Sequence, residues 1–407
     1  MNEDAIPVTI LSGSLGAGKT TLLNHLLHNA GDLDIAVLVN DMGEINIDAA
    51  LVSDTSELSV ADGGVTELSN GCICCELQDD LNEAVVRLAK NRDFDHLVVE
   101  SSGISEPEPV ARLFTTESRA AALYAVDSLV TVVDSRLFFD AFDGAGVPER
   151  RGTDDEDTRP LSDLLVEQVE FSNLVVLNKT DLVSDEELET VSELVRALRP
   201  DAELRHTSHG QLDPHDLLGQ RLYDPQTAAE AAGWKQALAA DEEPDHSHGH
   251  GHHDHAHPEE MYGVSSFTFR ARQPFHPKRI ADLLSSLPRG IIRSKGTCWA
   301  AGCGDNKLTF GQAGPSARIE VSGPWIASLS ELDQELYKAN RPNLDWDDEW
   351  GDRRTELVFI GTDLQEETMR EELETCLLTD DELTADWDGF ENPLPSELDE
   401  LVVLAAP

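Results

Sequence analysis

Short apolar runs alternate with longer amphipathic stretches through roughly the first 220 residues. The runs fall at residues 8–11, 35–40, 97–100, 129–134 and 174–178 and consist mainly of Val, Ile and Leu. A run with no polar alternation needs apolar packing on both faces, which is the situation of a strand inside a parallel sheet. More than ten residues separate each run from the next, enough for a crossover helix. A Gly-rich turn follows the first run and opens a helix through Thr21-Leu22-Leu23-Asn24-His25-Leu26-Leu27. The pattern predicts a three-layer α/β domain with a mainly parallel sheet over residues 1–222.

The periodicity then breaks. Residues 223–262 are acidic and polar, and seven of the fourteen histidines stand close together at His246, His248, His250, His252, His253, His255 and His257. Such a segment has little to bury and is expected to be a flexible linker. Alternation returns at residues 266–270, and Ile280, Leu283, Leu284 and Leu287 mark a helix starting after Pro277. Strand-like runs at 290–293, 307–310, 318–321 and 356–360 precede a helix over roughly 364–378. A smaller α+β domain is expected over 263–378, with an acidic, irregular tail over 379–407.

Charge narrows the class. The chain has 79 acidic and 30 basic residues, a formal net charge of -49. A surface this acidic repels phosphate backbones, so nucleic acid is not an expected partner. The acids are dispersed along the chain, as in a cytosolic protein of a salt-rich (halophilic) cell. No apolar stretch approaches the roughly 18 residues of a membrane span. The acidic start Met1-Asn2-Glu3-Asp4 does not resemble a secretory leader. Clustered rather than paired-looking cysteines suit reduced thiols, and together these features predict a cytoplasmic protein.

The turn after the first run reads Gly13-Ser14-Leu15-Gly16-Ala17-Gly18-Lys19-Thr20, a match to G-x-x-x-x-G-K-[ST]. Glycines let backbone N–H groups close around phosphates, Lys19 neutralises β/γ oxygens and the Thr20 hydroxyl is a Mg²⁺ ligand. Asn178-Lys179-Thr180-Asp181 ends the fifth run, where an aspartate can accept two hydrogen bonds from guanine that adenine does not offer. GTP is therefore expected over ATP. Glu100 ends another run, in Glu100-Ser101-Ser102-Gly103, where an acid serves Mg²⁺ or the attacking water.

Cys72, Cys74 and Cys75 place three thiols within four residues. Such a set converges on one soft or borderline ion, Zn²⁺ first and Co²⁺ or Ni²⁺ next. A fourth ligand is expected within residues 39–44, and the histidine run is a second, looser metal device. Cys298 and Cys303 are expected in a core.

These motifs together resemble the CobW-like metal-chaperone GTPases of the P-loop class. The resemblance is carried by residues 13–21, 39–48, 71–75 and 100–103, and by 272–277, 293–296 and 351–361, which resemble the CobW C-terminal domain. It implies that Gly13, Gly16, Gly18, Lys19, Thr20, Thr21 and Gly103 hold phosphate and Mg²⁺. It also implies that Lys19 and Glu100 serve hydrolysis and that Asn178, Lys179 and Asp181 read guanine. Cys72, Cys74 and Cys75 carry the family's metal motif. A glutamate often follows the equivalent of Asn40, whereas this chain has Asp41, leaving Glu44 as the acidic metal candidate. The implied activity is GTP hydrolysis coupled to delivery of Zn²⁺ to a client metalloprotein, and a homodimer is compatible with it. The alternatives are an assembly GTPase for a Co or Ni enzyme, of the cobalamin-synthesis type, and a non-catalytic metal store.

Overall fold

The computed structural model describes residues 5–40, 65–68, 75–91, 93–101, 103, 107–115, 118–142, 160–225, 232–240, 264–303, 305–341, 344–362, 364–398 and 400–405. The chain divides at Ala232/Gly233 into two compact units.

The first unit contains β1 (Ile6–Ser12), α1 (Lys19–Asn29), β2 (Ile35–Asn40), β3 (Val65–Leu68), α2 (Cys75–Asn91), β4 (His96–Glu100) and α3 (Glu108–Thr115). It continues with β5 (Tyr124–Asp134), α4 (Ser135–Phe142), α5 (Leu161–Glu170), β6 (Leu174–Asn178), α6 (Asp185–Leu198) and β7 (Glu203–His206). The strands form one sheet in the order β3-β2-β4-β1-β5-β6-β7, and every pairing is parallel.

Alternate side chains of each central strand enter opposite layers. Ala36, Leu38, Leu97 and Val99 join one core cluster with Val85 of α2 and Phe114 of α3. Val37, Val39 and Val98 join the other with Leu22, Leu23 and Leu26 of α1. Each such Leu or Val contributes about 1.5–3 kcal/mol by leaving water. This two-sided burial is the physical reason for the uninterrupted apolar runs. The runs miss two strands, β3 and β7, which lie at the ends of the sheet among the described residues, and in β7 polar residues such as Glu203 and Arg205 are tolerated.

The second unit contains α7 (Gly233–Ala240), β8 (Val264–Ala271), α8 (Pro277–Leu284), β9 (Ile291–Cys298), β10 (Asn306–Ala313), β11 (Ser316–Pro324) and α9 (Glu331–Asn340). β12 (Thr355–Thr362), α10 (Glu366–Cys376), α11 (Asp380–Leu383) and β13 (Leu401–Ala405) complete it. Its sheet runs β13-β11-β10-β9-β12-β8 with every pairing antiparallel. Phe269, Leu308, Phe310, Ile319, Leu357 and Phe359 pack on one face with Ile280 and Leu284 of α8 and Leu373 of α10.

Two expected boundaries are corrected here. Residues 233–240, expected in the linker, form a helix in the second unit, and the Leu238 carbonyl accepts a hydrogen bond from Arg270 at 2.9 Å. The Ala/Leu content of Leu238-Ala239-Ala240 favours that helix despite the polar surroundings. The expected acidic tail is also structured: Thr379 and Glu382 form a capping box, Leu394 is buried in the core, and β13 pairs with β11. Its run Leu401-Val402-Val403-Leu404 supplies the apolar surface that a tail would lack. The segments 144–159 and 241–263 lie outside the described residues.

Candidate functional site

The carboxyl ends of the central parallel strands converge on the turn between β1 and α1. Gly13 leaves β1 with φ 138°, and a Cβ there would lie 2.2 Å from the Val132 carbonyl oxygen. Gly18, at φ 104°, would place a Cβ 2.3 Å from Asn178 Nδ2. Both positions therefore exclude a side chain on steric as well as conformational grounds. Gly16 is also left-handed, at φ 79°.

Helix α1 starts directly behind the turn. Gly18 caps it without a side-chain hydrogen bond, and no acid stands in its first turn. Its first N–H groups and positive dipole end are left for an anion. Among the described residues Ser14 Oγ, buried in the turn, has no hydrogen-bond partner, a polar atom suited to a ligand oxygen. Lys19 is buried, and its Nζ donates to the carbonyls of Gly13 at 2.9 Å and Ser14 at 3.4 Å. Thr20 Oγ1 donates to Glu100 Oε1 at 3.4 Å, which joins the hydroxyl after the turn to the buried acid ending β4. Thr21 follows on α1 and is exposed. A Cβ at Gly103 would sit 2.8 Å from Leu15 N, so the segment after β4 closes on the turn. The residues fit a Mg-nucleotide: a glycine turn, an uncapped helix end, an orphan hydroxyl, an ammonium, and a Thr/acid pair.

Asn178, ending β6, fastens the other side. Its Nδ2 donates to Ala17 O at 2.8 Å, and its Oδ1 accepts from Gly210 N at 3.1 Å. Lys179 is left-handed, at φ 59°, and its Nζ lies 2.6 Å from Asp134 Oδ2. Asp181 lies in the short helical turn Thr180–Leu182 with its side chain 41% exposed, and His209 Nε2 is 4.0 Å from its Oδ2. An open carboxylate beside an ordered Asn/Lys turn can accept hydrogen bonds from a base edge.

The loop Ser208-His209-Gly210 is a rim that the sequence reasoning did not find. Thr207 O accepts from Thr180 Oγ1 at 3.1 Å, and Gly210, at φ 65°, would place a Cβ 2.8 Å from Leu22 N. The only hint is Gly210, four residues after the end of the short strand β7. Toward the amino ends of the strands, a separate buried network joins Thr9 to His96 at 2.9 Å and Asp127 at 3.2 Å. Asp127 also accepts from the backbone of Gly219 and Arg221. Burial depresses the His96 pKa, with Asp127 pulling the other way. This network anchors residues 219–221.

Of the expected metal residues, Cys75 opens α2, but its side chain lies outside the described residues, as do Glu44, Cys72, Cys74 and the seven histidines from His246 to His257. Among the described residues no three His, Cys, Asp or Glu side chains are grouped to hold a metal. Cys298, Cys303 and Cys376 sit in the core of the second unit. Burial pushes the Cys303 and Cys376 thiols up to about 11 and that of Cys298 higher still. They are protonated core residues, not thiolate ligands.

Residues 7–205 match the family described as CobW/HypB/UreG, nucleotide-binding domain, and residues 264–377 match the cobalamin synthesis protein cobW C-terminal domain. The zinc-regulated GTPase metalloprotein activator 1 of Dictyostelium discoideum is 37% identical over 98% of this chain and 85% of its own length. The zinc chaperone YjiA of Escherichia coli is 27% identical over 90% of this chain and 96% of its own. The crystal structure of Zn(II)-bound YjiA GTPase aligns at 21% identity over 93% of this chain and 100% of that one, with a TM-score of 0.38. A likeness that runs through both units at this identity, on a chain with an intact phosphate turn, makes this protein a member of the CobW family of P-loop GTPases.

Proposed function

We propose that the chain is a GTP-hydrolysing metallochaperone that carries Zn²⁺ on Cys72, Cys74 and Cys75 and passes it to a client metalloprotein. The observation that carries this reading is the contact of Thr20 with Glu100 beneath the amino end of α1. In chain order the Cys-x-Cys-Cys segment lies between those two residues. A segment so placed can respond to the γ-phosphate that Thr20 and Glu100 would attend.

In this reading Gly13, Gly16, Gly18 and Thr21 surround the phosphates, and Gly103 keeps the segment after β4 close. Lys19 leaves the carbonyls of Gly13 and Ser14 for the β/γ oxygens. Thr20 would hold Mg²⁺, which would supply positive charge to the phosphates. Glu100 orients the attacking water, and Asp181 accepts the guanine hydrogens while Asn178 and Lys179 hold the turn. Loss of the γ-phosphate releases the segment that bears the cysteines and loosens the thiolate site. Glu44 is the proposed further ligand, and the seven histidines from His246 to His257 a capture site for incoming metal. Zinc is favoured as cargo by the names of the Dictyostelium and Escherichia coli relatives. The reading places the protein in the cytoplasm.

Titrating Zn²⁺ into a GTPase assay of wild type and Cys74→Ser tests the coupling. The wild-type rate should change with metal and the variant's should not, whereas equal, metal-independent rates contradict the reading. Competition with Co²⁺ and Ni²⁺ identifies the cargo, and a strong preference for either would move it to assembly of a cobalt or nickel enzyme.

A further inference from the structure

Guanine offers a mixed edge to a protein. Its N1–H and 2-amino group donate, while O6, on the carbon next to N1, accepts; adenine carries an amino group where guanine has O6. A carboxylate reads only the donating part of that edge. Full recognition needs a hydrogen-bond donor beside Asp181.

The side chains just before Asp181 are already engaged. Asn178 is buried, with its Nδ2 on Ala17 O at 2.8 Å and its Oδ1 on Gly210 N at 3.1 Å. Lys179 Nζ lies 2.6 Å from Asp134 Oδ2, and Thr180 Oγ1 donates to Thr207 O at 3.1 Å. The loop after β7 is thus bonded to this turn at two points, through Thr207 and Gly210. Within that loop the N–H groups of Thr207, Gly210 and Gln211 are spent on Leu177 O, Asn178 Oδ1 and Ser208 O.

His209 stands in the middle of the loop in the left-handed region, at φ 57°, a conformation uncommon for a residue other than glycine. Its neighbour Gly210 is fixed by Asn178 and closes on α1, where a Cβ would sit 2.8 Å from Leu22 N. The loop therefore holds out an imidazole that is 74% exposed, with Nε2 4.0 Å from Asp181 Oδ2. That gap is longer than a hydrogen bond. It suits two roughly parallel hydrogen bonds of about 2.9 Å that end on neighbouring positions of one base edge. An imidazole donates from Nε2 in one neutral tautomer and in its protonated form. Among the described residues the His209 ring makes no hydrogen bond that would compete.

We infer that His209 is a specificity-determining residue: its imidazole donates to guanine O6 while Asp181 accepts from N1–H and the 2-amino group. This role rests on the guanine reading of Asp181 and extends it to the position where the two purines differ in sign. Adenine would set its 6-amino group against the donor and offer Asp181 no N1–H.

The test is competition of unlabelled nucleotides against a ribose-labelled fluorescent GTP, with Mg²⁺, on the full-length chain. GTP and ITP both carry O6, whereas 6-thio-GTP keeps both donors for Asp181 and replaces O6 by sulfur, a weak acceptor. His209→Ala and His209→Gly, the second unstrained at this φ, should weaken GTP and ITP by about 3–10-fold, the loss of one neutral hydrogen bond, and change 6-thio-GTP and ATP by less than about twofold. His209→Gln, which keeps an N–H donor at similar reach, should retain most of the GTP affinity. Melting temperature should be unchanged in each. Undiminished GTP and ITP binding by both the Ala and Gly variants would overturn the proposal, since backbone N–H groups would then suffice. An equal loss for all four nucleotides would also overturn it, because His209 would then merely support its loop. Asp181→Asn separates these results from failure of the underlying reading. If that variant keeps full GTP affinity, or wild type binds ATP as tightly as GTP, the guanine assignment fails and the role of His209 falls with it.

Discussion

The two sheets place their polar residues by different rules. In the parallel sheet both faces are apolar, so polar groups collect at the strand ends, and at the carboxyl ends Lys19, Glu100 and Asn178 are all nearly inaccessible. The antiparallel sheet buries one apolar face against α8 and α10, while at one end its other face carries the row Arg270, Glu356 and Thr297. In the first unit, chemistry is confined to one edge and depends on a few residues held by buried contacts. In the second, charge is spread over an accessible surface, where single contacts are worth less.

The largest expected effect tests whether stability and chemistry separate along this line. Phe310→Ala removes a fully buried ring from the second core and should cost about 3–5 kcal/mol, lowering that unit's melting transition while leaving GTP affinity intact. A parallel loss of GTP affinity would break the separation. Lys19→Ala should slow GTP hydrolysis by about 10²–10³-fold, the scale of removing one preorganised charge-stabilising donor, with no shift in the second unit's melting. Asp181→Asn should weaken GTP by about 1.5–3 kcal/mol, the scale of hydrogen bonds to a charged group, with ATP affinity unchanged. Equal losses for both nucleotides would mean that Asp181 holds its turn rather than reading the base.

The smallest effect concerns the charged surface of the second unit. The Arg279 guanidinium, assisted by the Thr379 N–H, lowers the Glu382 carboxyl from its ordinary 4.5 to about 2. A depressed carboxyl stabilises the fold above its unfolded value, and that contribution fades as pH falls from 4.5 toward 2. Following tryptophan fluorescence through acid titration, Glu382→Gln should lose stability near neutral pH and show a shallower acid dependence in that window. An unchanged profile would mean that the pair, partly exposed as it is, contributes nothing measurable.

Much of the first unit was legible because two-sided burial writes itself as apolar runs, and because phosphate binding needs glycines at fixed spacing. Gly13 and Gly18 are readable as a motif, although the reasons for them, the Val132 carbonyl and the Asn178 amide, are tertiary. The bond from Asn178 to Ala17 spans 161 residues and has no local signature. The His209 rim was missed for the same reason: its contacts, with Asp181 and Leu22, come from other elements. In the second unit β13 was hidden by the acids that precede it, since composition over thirty residues outweighed a five-residue apolar strand. The grouping of Arg270, Lys307 and Arg354 was illegible, because these residues come together only through the antiparallel order β10-β9-β12-β8.

The central claim is that nucleotide state sets the grip of Cys72, Cys74 and Cys75 on zinc. Its most direct test is the Zn²⁺ affinity of the full chain, by competition with a chromogenic chelator, with a non-hydrolysable GTP analogue and then with GDP bound. The account predicts affinities that differ by about tenfold or more, a coupling of about 1.4 kcal/mol, with the difference abolished in Cys74→Ser. Equal zinc affinity in the two nucleotide states would contradict it.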